Sequence, residues 1–134
     1  MNEEKLNRLP ADVKKQFLKY AIKLSEKKQK SKVHEDFLTF VKHVWPEFIE
    51  GEHHKKIAEK FNEIANKKIK RLIINMPPRH TKSEFASFLL PSWMVGRKPD
   101  LKIIQTTHTT ELAIRFGRKA KNLMDSPEYK QVFS

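Results

Sequence analysis

Arg71-Leu-Ile-Ile-Asn75, Met76-Pro-Pro-Arg-His-Thr81, Lys82-Ser83-Glu84 sets a short apolar run before an irregular loop that ends in Lys-Ser. Leu72–Ile74 is brief and uniformly apolar, the pattern of a buried strand in a parallel sheet. From Lys82 to Leu90 the spacing turns helical, with Phe85, Phe88 and Leu89 on one face. Strand, loop and helix in that order are the layout of a Walker A phosphate-binding loop. Neither glycine of its G-x-x-x-x-G-K-[ST] pattern is present, and Met76 and Thr81 stand in their places.

Each residue of the loop can be weighed by what a phosphate site requires. Backbone N–H groups and a helix N-terminus must converge on the anion, a lysine must reach the terminal phosphates, and a hydroxyl must hold Mg²⁺. Lys82 and Ser83 have the right types and positions for the last two tasks. Arg79 and His80 add donors, and Arg79 is suited to oppose the charge that builds during phosphoryl transfer. Pro77 and Pro78 lack N–H groups, so they contribute stiffness, not hydrogen bonds. Thr81 is the demanding position, because a β-branched residue resists positive φ. Either Thr81 keeps φ negative, or nucleotide affinity falls.

Downstream, Pro91 should break or kink the first helix, leaving a short piece Ser92–Val95 stopped by Gly96. Leu101–Thr106 reads as a second buried strand. Thr109 or Thr110 then caps a helix to about Met124, with Leu112, Phe116, Ala120 and Leu123 inward. Gln105–Thr110 lies where α/β proteins place their sites; it suits a DNA contact, or equally a plain threonine-capped turn. Arg115 and Arg118 fall on the outer side of that helix, as a trans-acting finger or as surface charge. Ser126-Pro127-Glu128 repeats a helix-start signal.

Upstream, Asp12 to about Lys30 is a basic amphipathic helix with Val13, Phe17, Tyr20, Ala21 and Leu24 on one stripe. It should fade into a linker near Gln29–Lys32. A second helix is expected over Val33–Val44, with Asp36 in its first turn, and a third over His53–Lys67. His53 and His54 read most simply as helix-start residues facing solvent. Adjacent helical positions diverge by about 100°, which disfavours a shared metal. The expected fold class is therefore α/β: N-terminal helices, then the first βαβα unit of a P-loop NTPase parallel sheet. Residues 1–32 form a basic helical extension and residues 33–134 a partial ATPase domain. Two strands do not make a stable sheet, so the domain reads as incomplete.

The chain has 134 residues, a formal net charge of +12 and no cysteine. Residues 1–70 hold 17 Lys/Arg against 11 Asp/Glu, and residues 71–134 hold 11 against 5, so the basicity is spread throughout. A polyanionic partner follows from that balance, as does a merely solubilising lysine surface. Disulfides and thiolate metal sites are excluded. Met1–Lys5 lacks the apolar core of a secretion signal. No apolar stretch reaches the roughly 20 residues of a membrane span. The expectation is a non-secreted protein without membrane association.

The loop and its flanks resemble the large terminase subunit of tailed bacteriophages, in which the variant P-P-R-H-[GT]-K-S recurs. The similarity covers about Val33 to the end. It includes Trp45-Pro46, His53-His54, Pro91-Ser92-Trp93, Gly96-Arg97-Lys98-Pro99, Ile103–His108, Phe116-Gly117-Arg118 and Ser126–Tyr129. The resemblance implies an ATP-driven motor that packages double-stranded DNA into procapsids, with a separate endonuclease domain. It implies ATP and Mg²⁺ as cofactors. The partners would be a small terminase subunit, a portal protein and further copies in a ring, in the cytoplasm of a bacterial host. By position, Lys82 would bind the β- and γ-phosphates, Ser83 would ligate Mg²⁺ and Arg79 would sense the γ-phosphate. Pro77, Pro78, His80 and Thr81 would complete the cradle, and His54 would fall in an adenine-contacting segment. No Walker B strand follows, so the chain by itself is not expected to turn over ATP efficiently. A different P-loop translocase or helicase, and a basic DNA-binding module with a vestigial loop, remain open.

Overall fold

The computed structural model describes residues 10–133, so Met1–Lys5, read above for a secretion signal, lies outside the described residues. The chain divides into two units that part between Ser31 and Lys32. The helices are α1 (Ala11–Glu35), α2 (Phe37–Val44), α3 (Glu52–Ala65), α4 (Lys82–Glu84), α5 (Leu90–Arg97), α6 (Thr110–Asp125) and α7 (Pro127–Phe133), with a π-helical turn over Phe85–Leu89 between α4 and α5. No strand is formed among the described residues.

That finding overturns the α/β expectation: the fold is all-α. A strand needs a neighbour with which to exchange N–H and C=O groups, and neither 72–74 nor 101–106 has one among the described residues. Part of the strand pattern is nevertheless visible. Leu72, Ile74 and Met76 pack against the core while Ile73, between them, is 86% exposed. The apolar run thus serves as a one-sided seam against helices. Ile104 is 92% exposed, so Leu101–Thr106 is not a buried strand either.

In the first unit, the helix from Ala11 onward carries Val13, Phe17, Tyr20 and Leu24 exposed among its lysines. The expected linker at Gln29–Lys32 is absent, because helical hydrogen bonding persists to Glu35. The break comes at Asp36, which is an N-cap and not a first-turn residue. Its backbone is extended, and its carboxylate accepts from the Thr39 N–H at 2.7 Å and the Thr39 hydroxyl at 2.6 Å. Asn62 of α3 donates to Asp36 at 2.8 Å and accepts from the Phe37 N–H at 2.9 Å, fixing α2 against α3. Burial alone would raise the Asp36 pKa, but these donors together hold it below its ordinary value.

The core of the second unit gathers Val33, Phe37, Phe40, Val41, Ile57, Ala58, Phe61, Phe85, Leu89, Trp93 and Tyr129. Phe37 is its hub, meeting Phe61, Phe85 and Trp93 edge-on at centroid distances of 5.2, 5.4 and 5.5 Å. Trp93 is fully buried and satisfies its indole N–H on the Val33 carbonyl at 3.1 Å. Pro91 does not break the helix. The π turn just before it, closed by the Leu90 N–H on the Phe85 carbonyl, absorbs the disruption, and the helix runs on to Arg97. Gly96 is not a stop signal: a Cβ there would meet the Phe133 ring and the Tyr129 hydroxyl at 2.6 Å. Its missing side chain lets α7 lie against α5, where the Tyr129 hydroxyl donates to the Ser92 carbonyl at 2.8 Å. No helix among the described residues is long and apolar enough to cross a membrane.

Candidate phosphate-binding loop

The core positions the loop from below, because the π turn that follows α4 anchors Phe85 and Leu89, both completely buried. Above that anchor the chain from Met76 to Thr81 is irregular and contains two left-handed residues, Arg79 at φ 64° and Thr81 at φ 58°. Neither is glycine. Positive φ costs an L-residue roughly 1–2 kcal/mol, and more is expected for a β-branched side chain. Of the alternatives for Thr81, negative φ is thus excluded, which leaves a strained positive φ that lowers nucleotide affinity unless surrounding contacts offset the strain. The residue holds the conformation that glycine supplies in the usual pattern.

Three contacts surround this strained position. The Lys82 ammonium folds back and donates to the Met76 carbonyl at 2.7 Å, closing the loop across its mouth. The Phe85 N–H donates to the Thr81 carbonyl at 3.0 Å, starting the helix. The third contact comes from α3. The Gly51 N–H donates to His54 Nδ1 at 2.9 Å, so the ring proton of neutral His54 sits on Nε2. Nε2 therefore donates to Thr81 Oγ1 at 2.5 Å, and that hydroxyl donates to the His80 carbonyl at 2.7 Å.

His54 is buried, 6% exposed, and does not face solvent. Phe48 and Phe85 pack against its ring at 4.8 and 5.2 Å. Burial is the main reason its pKa lies below the ordinary value, and neighbouring His53 and His80 push the same way against Glu50. Both ring nitrogens are occupied, so an adenine base would find no free hydrogen-bonding atom there. His53 sits beside it, with ring centroids 3.8 Å apart, and reaches His80 at 5.7 Å.

Pro78 through Glu84 line an open hollow of about 320 Å³. Pro77, Pro78, Arg79, His80 and Ser83 are exposed, and Thr81 and Lys82 are half-buried. His80 is held by its own Nδ1–H on the Pro78 carbonyl at 2.8 Å. Glu84 is the acid of this stretch, and it is paired with Lys119 of α6 at 2.8 Å. The remaining charge facing the hollow, from Arg79 and Lys82, is positive and suits an anion. Among the described residues no cluster of three or more His, Asp or Glu could hold a metal ion. The exposed Ser83 hydroxyl fits a Mg²⁺ that arrives with phosphate, since that ion keeps waters and phosphate oxygens as its other ligands.

No protein-family model, curated protein or solved structure matches this chain. The site therefore rests on its geometry. Arg79, His80 and Thr81 close the loop and Lys82 and Ser83 open α4, so these residues of the sequence motif lie together as adjacency guarantees. Sequence reasoning missed the His54–Thr81 bond and the Glu84–Lys119 pair, which join residues 27 and 35 positions apart. Neither had a local signal; only the contact of His54 with Gly51, which orients the ring, did. A glycine followed three residues later by a hydrogen-bonding side chain has capping-box spacing. At Gln105–Thr110 the Thr109 hydroxyl accepts from the Leu112 N–H at 3.3 Å and caps α6, the threonine cap that the sequence expected. Arg115 and Arg118 lie on the exposed face of α6.

Proposed function

We propose that Met76–Ser83 binds the phosphates of ATP, and that the chain is the ATPase segment of a phage terminase large subunit. The observation that carries this reading is Thr81, a non-glycine residue held left-handed immediately before Lys82. Strain of that kind persists where surrounding structure enforces it, and functional loops are where it concentrates. The sequence of the loop and its flanks supplies the rest.

In this reading Lys82 leaves the Met76 carbonyl for the β- and γ-phosphates, a short exchange of one oxygen acceptor for a charged one. Arg79, exposed at the rim, opposes charge on the γ-phosphate. Ser83 offers its hydroxyl to Mg²⁺, which when bound neutralises phosphate charge. The net charge of +12 suits double-stranded DNA as cargo. The small terminase subunit, the portal, a ring of copies and the bacterial cytoplasm belong to the same proposal.

Equilibrium titration with a fluorescent ADP analogue and Mg²⁺ tests it. Saturable binding by the wild-type chain that Lys82→Ala abolishes is the expected result. Absence of binding, together with DNA affinity that falls steeply with salt and ignores ATP, would overturn it in favour of a basic DNA-binding module.

A further inference from the structure

We propose that His54 is a positioning residue for the phosphate loop, a clamp from α3 that keeps Thr81 left-handed and thereby substitutes for the missing glycine. The function assigned to this clamp rests on the reading of Met76–Ser83 as a nucleotide site. The observations are geometric. Thr81 stands at φ 58° and ψ 3°, where a glycine would be free of strain and a threonine is not. Its hydroxyl is engaged on both sides, accepting from His54 Nε2 and donating to the His80 carbonyl. A glycine could make neither bond. The residue that creates the conformational problem also provides the handle that solves it.

The polarity of the chain of bonds is fixed from its far end. The Gly51 N–H can only donate, so Nδ1 accepts and Nε2 is left as the donor to Thr81. The imidazole is itself immobilised, with Phe48 and Phe85 packed on it and 6% of its surface exposed. Gly51 is the N-cap of α3, so the same ring that caps that helix also sets the loop. The charged and titratable groups around the ring are His53 on α3, Glu50 before it and His80 in the loop.

Without the clamp, Thr81 should relax towards negative φ and displace the backbone of Lys82 and Ser83 that follows it. Three variants and two readouts separate the possibilities. Relative to wild type, His54→Ala should weaken Mg²⁺·ADP analogue binding by about tenfold. It should also remove the strong intraresidue Hα–HN NOE that marks positive φ at Thr81. Adding Thr81→Gly in the His54→Ala background should recover most of that affinity, because glycine holds the conformation unaided. A variant that had merely lost folding would not be rescued by removing a second side chain.

Undiminished binding and a retained NOE in His54→Ala would overturn the clamp, as would failure of the glycine rescue in a double variant that keeps wild-type helicity. Lys82→Ala reports separately on the nucleotide reading. If the wild-type chain binds no nucleotide, that reading fails, and the NOE alone decides the clamp: its loss in His54→Ala supports the clamp, and its persistence refutes it.

Discussion

Two segments of this chain share one sequence grammar, an apolar run, a polar turn and a helix, yet they form different structures. In the first, Leu72–Ile74 leads through Met76–Thr81 into α4 and the π turn. In the second, Leu101–Thr106 leads through Thr107–Thr109 into α6. The first junction is tied to α3 by His54 and closed on itself by Lys82, and its helix is rooted in the core by Phe85, Leu89 and Trp93. The second has a threonine cap with Thr109 at an unstrained φ of −135°, and α6 buries no residue completely. A strained loop can be maintained only above a helix whose position is already determined by packing. The contrast teaches that burial behind a loop, more than the letters within it, marks which of two similar turns can store strain.

The largest test of that contrast is in the helices. Trp93→Ala should cost about 3–5 kcal/mol in urea denaturation, through cavity formation and loss of its bond to Val33. Phe116→Ala on half-buried α6 should cost about 1 kcal/mol. Comparable losses would erase the distinction between a rooted and an unrooted helix.

At the turns themselves, Thr81→Val strands the buried Nε2 donor of His54 and should cost about 2 kcal/mol. Thr109→Val removes only a helix cap, worth about 1 kcal/mol, and should leave loop signals elsewhere unchanged in amide spectra.

A smaller effect follows from protonation. The folded pKa of His54 is lowered, so its contribution to stability is present above the ordinary value of 6.5 and is lost as pH falls through the folded value. Below 6.5 the unfolded chain takes up the proton first. A melting temperature that declines with acidification through this window, and a shallower decline in His54→Gln, are the expected results. A slope that His54→Gln leaves unchanged would assign the effect to other groups.

The least effect is expected where the two segments agree. Ile73 and Ile104 are 86% and 92% exposed, so Ile73→Lys and Ile104→Lys should each change stability by no more than about 0.5 kcal/mol. A large loss at either position, read by the same denaturation, would mean that its side chain is covered in solution.

Much of the local structure was legible because it depends on neighbours in the chain. The caps at Thr109 and Ser126, the end of α2 before Pro46 and the helical run from Lys82 follow from residue types within one turn. The start of α2 lies four residues beyond the expected Val33, because Asp36 suits a first turn and an N-cap equally. Asn62, 26 positions away, decides between them. Pro91 and Gly96 were read as breakers on propensity alone. A π turn and the ring of Phe133 give both residues other roles.

By itself, the sequence determined where α6 and α7 begin, which residues make up the loop and that its charge is positive, since these are properties of adjacent residues. Only the tertiary structure decided that the apolar runs pair with no neighbour among the described residues, because a strand is defined by partners that periodicity cannot supply. It also decided that Thr81 is left-handed and that His54 meets it. A backbone torsion unfavourable in isolation becomes stable only when distant groups bond to it, and those distances exist only in the folded chain.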